Sequence, residues 1–389
     1  MEKAMNTQRR HDIDWLRTLA VMMLVFMHTA TIFTLNGGSV VKGTPNTGIV
    51  AVSTFFGEFL MPLMFFIAGA SVWLALGRRS PGQFLGERAK RLLVPLAFGI
   101  VAVMPILSYL YAVNREGYQG GFLASYLPGL AHFPFGHLWF ILYLFIFSVV
   151  LLPFFMYVKS PRGSRFAAFL GRLCDRRGGL IVFFVPLVLL EAVRRLMPSP
   201  NDNNLARVLL VAFFAYGFLA MSDPRIGRAI ERSGKAALAL VVPVMATIVS
   251  IVVGCGIAEG AELKPWMYGV LGPLSIVNAT LVIVVAMSYG KRFLNRDSKA
   301  LRYLSKASYP FYILHWVPIA VIAYFVMKLN LGAVASYLII VPASFAATFL
   351  LYEIVVRRTS VTRFLFGVKE QSKVRRMRVD SGATAVELR

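Results

Sequence analysis

Long apolar runs organise this chain. Stretches of about twenty residues, the length that crosses a bilayer as a helix, recur from end to end with short polar segments between them. Ten runs are legible, near residues 14–35, 49–76, 92–112, 138–158, 179–193, 208–222, 236–254, 267–289, 308–327 and 333–356. Each predicts a transmembrane helix. The alternating short segments of a membrane β-barrel are absent. The expected fold class is all-α, a polytopic membrane protein of about ten transmembrane helices. The first run is too long for a secretory leader, carries Arg17 within it and lacks a small-residue cleavage site, so it is expected to stay as the first helix.

Composition agrees: 58% of the 389 residues are hydrophobic, 15% are charged, and mean hydropathy is +0.68. A soluble chain of this length would usually divide into two or three domains with polar surfaces. Here one transmembrane domain over 14–356 is expected to fill most of the chain. A cytoplasmic lead over 1–13 precedes it, and a basic, partly disordered tail over 357–389 follows.

The net charge of +23 would suggest nucleic acid in a soluble protein. Its distribution points elsewhere. With the N-terminus inside, 34 of the 41 Lys and Arg residues fall on the cytoplasmic side. That asymmetry obeys the positive-inside rule and faces anionic lipid. Both termini are thus expected in the cytoplasm and the chain in the inner membrane, with membrane lipid and not nucleic acid as partner. The two cysteines, Cys174 in an inner loop and Cys255 at an outer helix end, fall on opposite sides and imply no disulfide. No metal-ligand set is visible. Nothing in the pattern fixes an oligomeric state. The outer loop around 113–137 is rich in Gly, Pro and aromatic residues, and reads either as a lid or sugar-stacking surface or as an interfacial aromatic belt.

Candidate chemistry comes from polar residues inside the apolar runs, since an ionisable group in hydrocarbon costs roughly 2.5–3.5 kcal/mol on insertion scales. Arg17 and His28 share the first run, eleven residues apart. Eleven steps of 100° return to almost the same helix face, with a rise of roughly 16 Å. One stripe thus carries a cation near the cytoplasmic surface and an imidazole deeper in the membrane. Arginine grips phosphate, and a neutral imidazole takes a proton from a hydroxyl. The separation suits a long donor with phosphates at one end and a reactive group at the other, the shape of coenzyme A. The structural alternative is a snorkelling arginine and a histidine bonded to a neighbouring helix.

Glu58 enters the second run at similar depth. It reads either as a carboxylate orienting His28, or as a carboxyl that stays protonated or faces water. Arg88 and Arg91, three apart at the inner mouth of the third run, read as phosphate ligands beside Arg17 or as ordinary inner-loop charge. Tyr312 and His315 share a face of the ninth run, where His315 lines a cavity or serves packing. Asn278 is either an interhelical link or an amide aimed at the reacting group. Trp139, next to His137, is an interfacial anchor or a sugar platform; His132 also lies at the outer face. Asp12 and Asp14 suit the first turn of a helix, with Asp14 able to pair Arg17, and Glu353 can pair Arg357.

The segment "DIDWLRTLAVMMLVFMHTATIF" resembles the Arg-X10-His motif of the acyltransferase-3 membrane family. "PLMFFIAGAS", "FLGERAKRLLVPL", "HLWFILYLFIF", "SYPFYILHW" and "YEIVVRRTSVTRFLFG" resemble later blocks of that family, in order, over residues 11 to 367. The opening and closing blocks are most similar to the glucan-biosynthesis succinyltransferase branch. Ala68 departs from the Ser-Gly that many relatives carry in "FFIAGAS". The resemblance implies transfer of an acyl group, acetyl or succinyl, from cytoplasmic acyl-CoA to a hydroxyl of an extracytoplasmic carbohydrate such as a periplasmic glucan or surface polysaccharide. Acyl-CoA is then a substrate, and no permanently bound cofactor is expected. Arg17, Arg88 and Arg91 would hold the donor, and His28, with Glu58 and His315, would handle the proton. Two rival classes share these features: a secondary transporter or exporter of an envelope metabolite, and a non-catalytic scaffold in polysaccharide assembly.

Overall fold

The computed structural model describes residues 9–35, 39–132, 135–196, 202–256 and 264–368. Among them every regular element is helical: α1 His11–Ala30, α2 Thr47–Gly57, α3 Leu60–Leu76, α4 Pro81–Ala102, α5 Met104–Arg115, α6 Phe122–His132, α7 Trp139–Val150, α8 Leu152–Lys159, α9 Pro161–Asp175, α10 Ile181–Leu196, α11 Asp202–Ala220, α12 Pro224–Gly254, α13 Pro265–Phe293, α14 Lys299–Leu314, α15 Trp316–Met327, α16 Ala333–Leu351 and α17 Ser360–Leu365. Seven helical stretches are long and apolar enough to cross a membrane, and α14 with α15 forms one further stretch bent by 58°. Two shorter apolar helices, Ile181–Val193 and Leu209–Ala220, accompany them. Each of the ten apolar runs falls on one of these segments, and the chain is an all-α, multi-pass membrane protein.

Helix starts lie further out than hydropathy alone places them. α4 begins at Pro81, eleven residues before its apolar run, because Ser80 and Gln83 form a reciprocal capping box behind a proline at the first helical position. Asp223, which accepts from the Arg225 N–H at 2.8 Å, and Pro224 do the same for α12. The Arg225 guanidinium beside it holds the Asp223 carboxyl below the usual carboxylate range. Ser298 caps α14. Cap and proline fix a helix start, whereas hydropathy marks only the part that meets lipid, so the basic segments between the apolar runs are largely helical.

Two helices break at polar residues, and proline explains both. Pro62 has no N–H for the Glu58 carbonyl, and the chain turns at Glu58–Phe59 between α2 and α3. Pro318 has none for the Leu314 carbonyl, and the bend falls on His315.

The core gathers around α1, which packs on α2, α3, α13, α14, α15 and α16. Beside it α3 and α11 cross at backbone contact. A Cβ on Gly69 would lie 1.9 Å from the Phe214 carbonyl oxygen, and one on Gly217 would lie 1.9 Å from that of Phe66. This is the small-residue crossing that membrane helices use to bring backbones together. The expected tail starts with order: α17 packs on α4, Phe366 is buried against Phe98, and Gly367 adopts the left-handed φ of +67°. Residues 369–389 of that tail lie outside the described residues.

Candidate functional site

Polar groups collect at two levels along α1. Toward its N-terminal end, Arg17 bonds Asp14 at 2.7 Å, and Asp14 also takes Arg9 at 2.9 Å. Asp12 is fully buried and accepts from Arg10 at 2.6 Å. Both acids are therefore first-turn residues with ion-pair partners. Arg17, Arg79 and Arg91 all lie within electrostatic reach of Arg88, as does the phenol of Tyr309.

Arg88 and Arg91 sit inside α4 rather than at its mouth, and they diverge. Arg91 is exposed and lies 3.8 Å from Glu87, which also holds Arg79 at 2.9 Å. Arg88 is partly buried, lies over the Phe84 ring at 5.2 Å, and has no carboxylate partner among the described residues. The Tyr309 hydroxyl near it is buried with no hydrogen-bond partner. A partly desolvated guanidinium beside an unpartnered hydroxyl is the donor set that receives phosphate.

The second level is a histidine cluster. His28 lies in the last turn of α1. Its ring is 5.3 Å, centroid to centroid, from that of His315 and stacks at 5.0 Å on Trp316. His137, in the single turn Gly136–Leu138 before α7, is 5.2 Å from both His315 and Trp316. His315 is fully buried and His137 nearly so, while His28 is partly exposed.

The bend at His315 sets the ring orientations. His315 Nδ1 lies 2.6 Å from the Tyr312 carbonyl oxygen, and His137 Nε2 lies 3.0 Å from that of Ile313. A carbonyl only accepts, so both nitrogens carry hydrogen. The Tyr312 hydroxyl in turn donates to the His137 carbonyl. His315 Nε2 and His137 Nδ1 are buried and unpartnered.

Glu58 does not reach this cluster by hydrogen bond. Its carboxyl lies near Ser275 of α13, and its Oε2 is buried without a partner. Asn278 is one turn further along α13, fully buried, with neither amide atom paired. α1 and α13 run antiparallel, since the His11 N–H bonds Asn295 and Leu16 lies against Gly290. Twelve residues along each helix from that contact stand His28 and Asn278, so equal rise puts them at the same depth. Thr29 Oγ1 on α1 and Ser344 Oγ on α16 are also buried and unpartnered. This layer gathers several buried polar atoms that have no partner among the described residues, a setting that suits a polar ligand.

On sequence alone His137 falls at the outer face, beside Trp139, with no chemical role of its own. Its side chain joins the site only through contacts with α14 and α15. A proline three or four residues after an intramembrane polar residue, as in Glu58–Pro62 and His315–Pro318, is a sequence signal that two of these positions carry. The side chain of His132 lies outside the described residues. Trp139 packs on Phe65 and Tyr143, which favours an anchoring role. Glu353 is bound by Arg357 at 2.8 Å and by the Tyr303 hydroxyl at 2.7 Å, a structural pair. Both cysteines are free. The loop expected on the outer side contains α6, whose Leu123 and Leu127 are exposed, whose Tyr126 hydroxyl donates to the Val101 carbonyl, and which packs on α5.

No solved structure matches the chain. Curated relatives include proteins named glucans biosynthesis protein C from Salmonella heidelberg (strain SL476) and Salmonella dublin. Each is 25% identical over 327 residues, covering 79% of this chain and 81% of the relative. The acyltransferase-domain family model matches residues 10–353, from the turn before Asp12 to Glu353, and takes in both polar levels of α1. With that match over nearly the whole length of an all-α, multi-pass protein, the chain belongs to the acyltransferase-3 family and is a membrane acyltransferase.

Proposed function

We propose that this protein moves an acyl group, acetyl or succinyl, from cytoplasmic acyl-CoA to a hydroxyl of an extracytoplasmic carbohydrate such as a periplasmic glucan or surface polysaccharide, from a place in the inner membrane with both termini inside. The observation that carries the reading is the pairing of two polar levels by one helix. Arg17, with Arg88 nearby, stands at one end of α1, and His28, with His315, stands about 16 Å further along it. The carbohydrate acceptor is supported by the printed name of the relatives, glucans biosynthesis protein C.

Arg88 and Arg17 hold the donor phosphates; the exposed Arg91, engaged with Glu87, adds long-range charge. His28 takes the proton of the acceptor hydroxyl as its oxygen bonds the thioester carbon. The carbon–sulfur bond then breaks, and the same proton passes to the thiolate to give free CoA. His315 orients His28 in the role first considered for Glu58, because His315 is the ring beside it. Glu58 belongs to the Ser275–Asn278 side of the layer.

The test is CoA release by the purified full-length chain in lipid nanodiscs, with acetyl-CoA or succinyl-CoA as donor and glucose oligosaccharides as acceptors, and mass spectrometry of the product. Acceptor-dependent CoA release with a matching mass gain supports the reading. Oligosaccharide flux without covalent product points to a transporter, and neither activity points to a scaffold.

A further inference from the structure

The histidine cluster contains more acceptors than one general base requires. His137 Nε2 and His315 Nδ1 are committed as donors to the carbonyls of Ile313 and Tyr312. In the neutral rings the remaining nitrogens, His137 Nδ1 and His315 Nε2, are then acceptors, and both are buried without partners. Two acceptors cannot bond each other. Both rings border Trp316: His137 at 5.2 Å, and His315 as its chain neighbour. A group with two adjacent hydroxyl donors satisfies such a pair, and unlike a water it can also carry a reacting oxygen.

The order of the residues along the path from outside agrees. In the orientation proposed above, the chain runs inward from His137 through α7 and α8 to Lys159, which puts His137 on the outer side of that run. His28 is five residues short of the end of the His11–Phe33 span. A molecule arriving from the outer side would meet His137 before it meets His28.

We propose that His137 is an acceptor-positioning residue and that the substrate class is a vicinal diol. One hydroxyl of the diol donates to His137 Nδ1 and stays unmodified, while its neighbour donates to His315 Nε2 on arrival and then turns that O–H to His28, the ring beside His315, for acylation. This rests on the acyltransferase reading above. It adds a requirement that reading does not contain: the hydroxyl next to the acylated one must be free.

His137 also latches α7 to the bend through Ile313 and Tyr312, so a structural role must be separated from a positioning one. Two amide substitutions do this. In His137→Gln the terminal N–H2 takes the place of Nε2 and keeps the bond to Ile313, but the Nδ1 acceptor is gone. In His137→Asn the side-chain oxygen takes the place of Nδ1, but the latch is gone. The probes are acetyl-CoA with a methyl glycoside of a glucose disaccharide and its monodeoxy analogues, on the full chain in nanodiscs. The wild type is expected to lose about tenfold or more in kcat/KM on the analogue lacking the neighbouring hydroxyl. His137→Gln is expected to melt near the wild type, raise the acceptor KM on the parent about tenfold, leave the donor KM within twofold, and no longer discriminate against that analogue. His137→Asn is expected to melt lower yet retain discrimination. Equal transfer to every deoxy analogue by the wild type, or a wild-type acceptor KM in His137→Gln, overturns this inference and leaves the acyltransferase reading standing. No acceptor-dependent CoA release from acetyl-CoA or succinyl-CoA overturns both.

Discussion

The imidazoles of His28 and His315 face each other at 5.3 Å, from helices at opposite ends of the chain, with the indole of Trp316 stacked on His28. The bend falls at that contact, and of the two rings His28 is the more exposed while His315 is fully buried, which fits the proposed role of His28 toward substrate. His28→Leu removes the proton acceptor and adds no polar group to an apolar setting. It should insert, purify and bind acyl-CoA as the wild type does, with acyl transfer reduced 10²–10⁴-fold, roughly the worth of a general base. Radiolabel transfer from acyl-CoA measures this, and residual activity above about a tenth of wild type would remove His28 from the reaction.

The arginines should rank by their partners. Arg88 has no carboxylate partner among the described residues, whereas Arg17 is held by Asp14 and Arg91 faces Glu87. Arg88→Ala is therefore expected to weaken acyl-CoA binding most, by about ten- to a hundredfold for a lost charge-assisted bond. Arg17→Ala should follow, Arg17→Lys should lose less because it keeps the charge without the fork, and Arg91→Ala should be mildest. Calorimetric titration of each variant with CoA gives the order; an unaltered affinity in well-folded Arg88→Ala would contradict the phosphate site.

The α3–α11 crossing predicts a stability effect far from the chemistry. Gly69→Ala brings a Cβ within 1.9 Å of a backbone oxygen that has no rotamer to escape through. A loss of about 1–3 kcal/mol or more is expected, the range of core overpacking. Gly227→Ala in α12, where a Cβ meets nothing within 4 Å, is the control and should melt at or above wild type. Differential scanning fluorimetry of the detergent-solubilised variants decides it, and equal melting of the two would refute the close crossing.

The two cysteines report both topology and burial. Cys174, on α9 in a loop proposed to be cytoplasmic, is fully buried, and burial pushes its thiol up to about 11. A raised thiol stays protonated, and so unreactive, until pH nears that value. Cys255, just past α12, is partly exposed. A membrane-impermeant maleimide applied to intact cells at neutral pH should label Cys255 alone. Cys174 should react only after permeabilisation and denaturation, and its labelling in intact cells would reverse the assigned orientation.

Hydrophobic periodicity by itself determined the class of protein and where each helix meets lipid, because burying apolar surface in a bilayer leaves backbone only the helix as a way to satisfy its hydrogen bonds. It also determined the Arg17–His28 stripe, since one helix and its 3.6-residue period fix that geometry without any neighbour. The starts of α4, α12 and α14 were legible too, in Ser80–Pro81, Asp223–Pro224 and Ser298, but as capping chemistry rather than hydropathy. The partners of each polar residue came only from tertiary structure. Glu58 and His315 are equally plausible neighbours of His28 along the chain, and helix packing gives Glu58 to Ser275 and His315 to His28. Arg88 and Arg91 share a helix face by spacing, yet Glu87 draws one outward while the packing of α4 near Tyr309 keeps the other partly buried. His137 enters the site only because the bend before Pro318 turns the Ile313 carbonyl toward it. Which side chain meets which depends on how helices distant in sequence are rotated and bent against one another, and no local pattern encodes that.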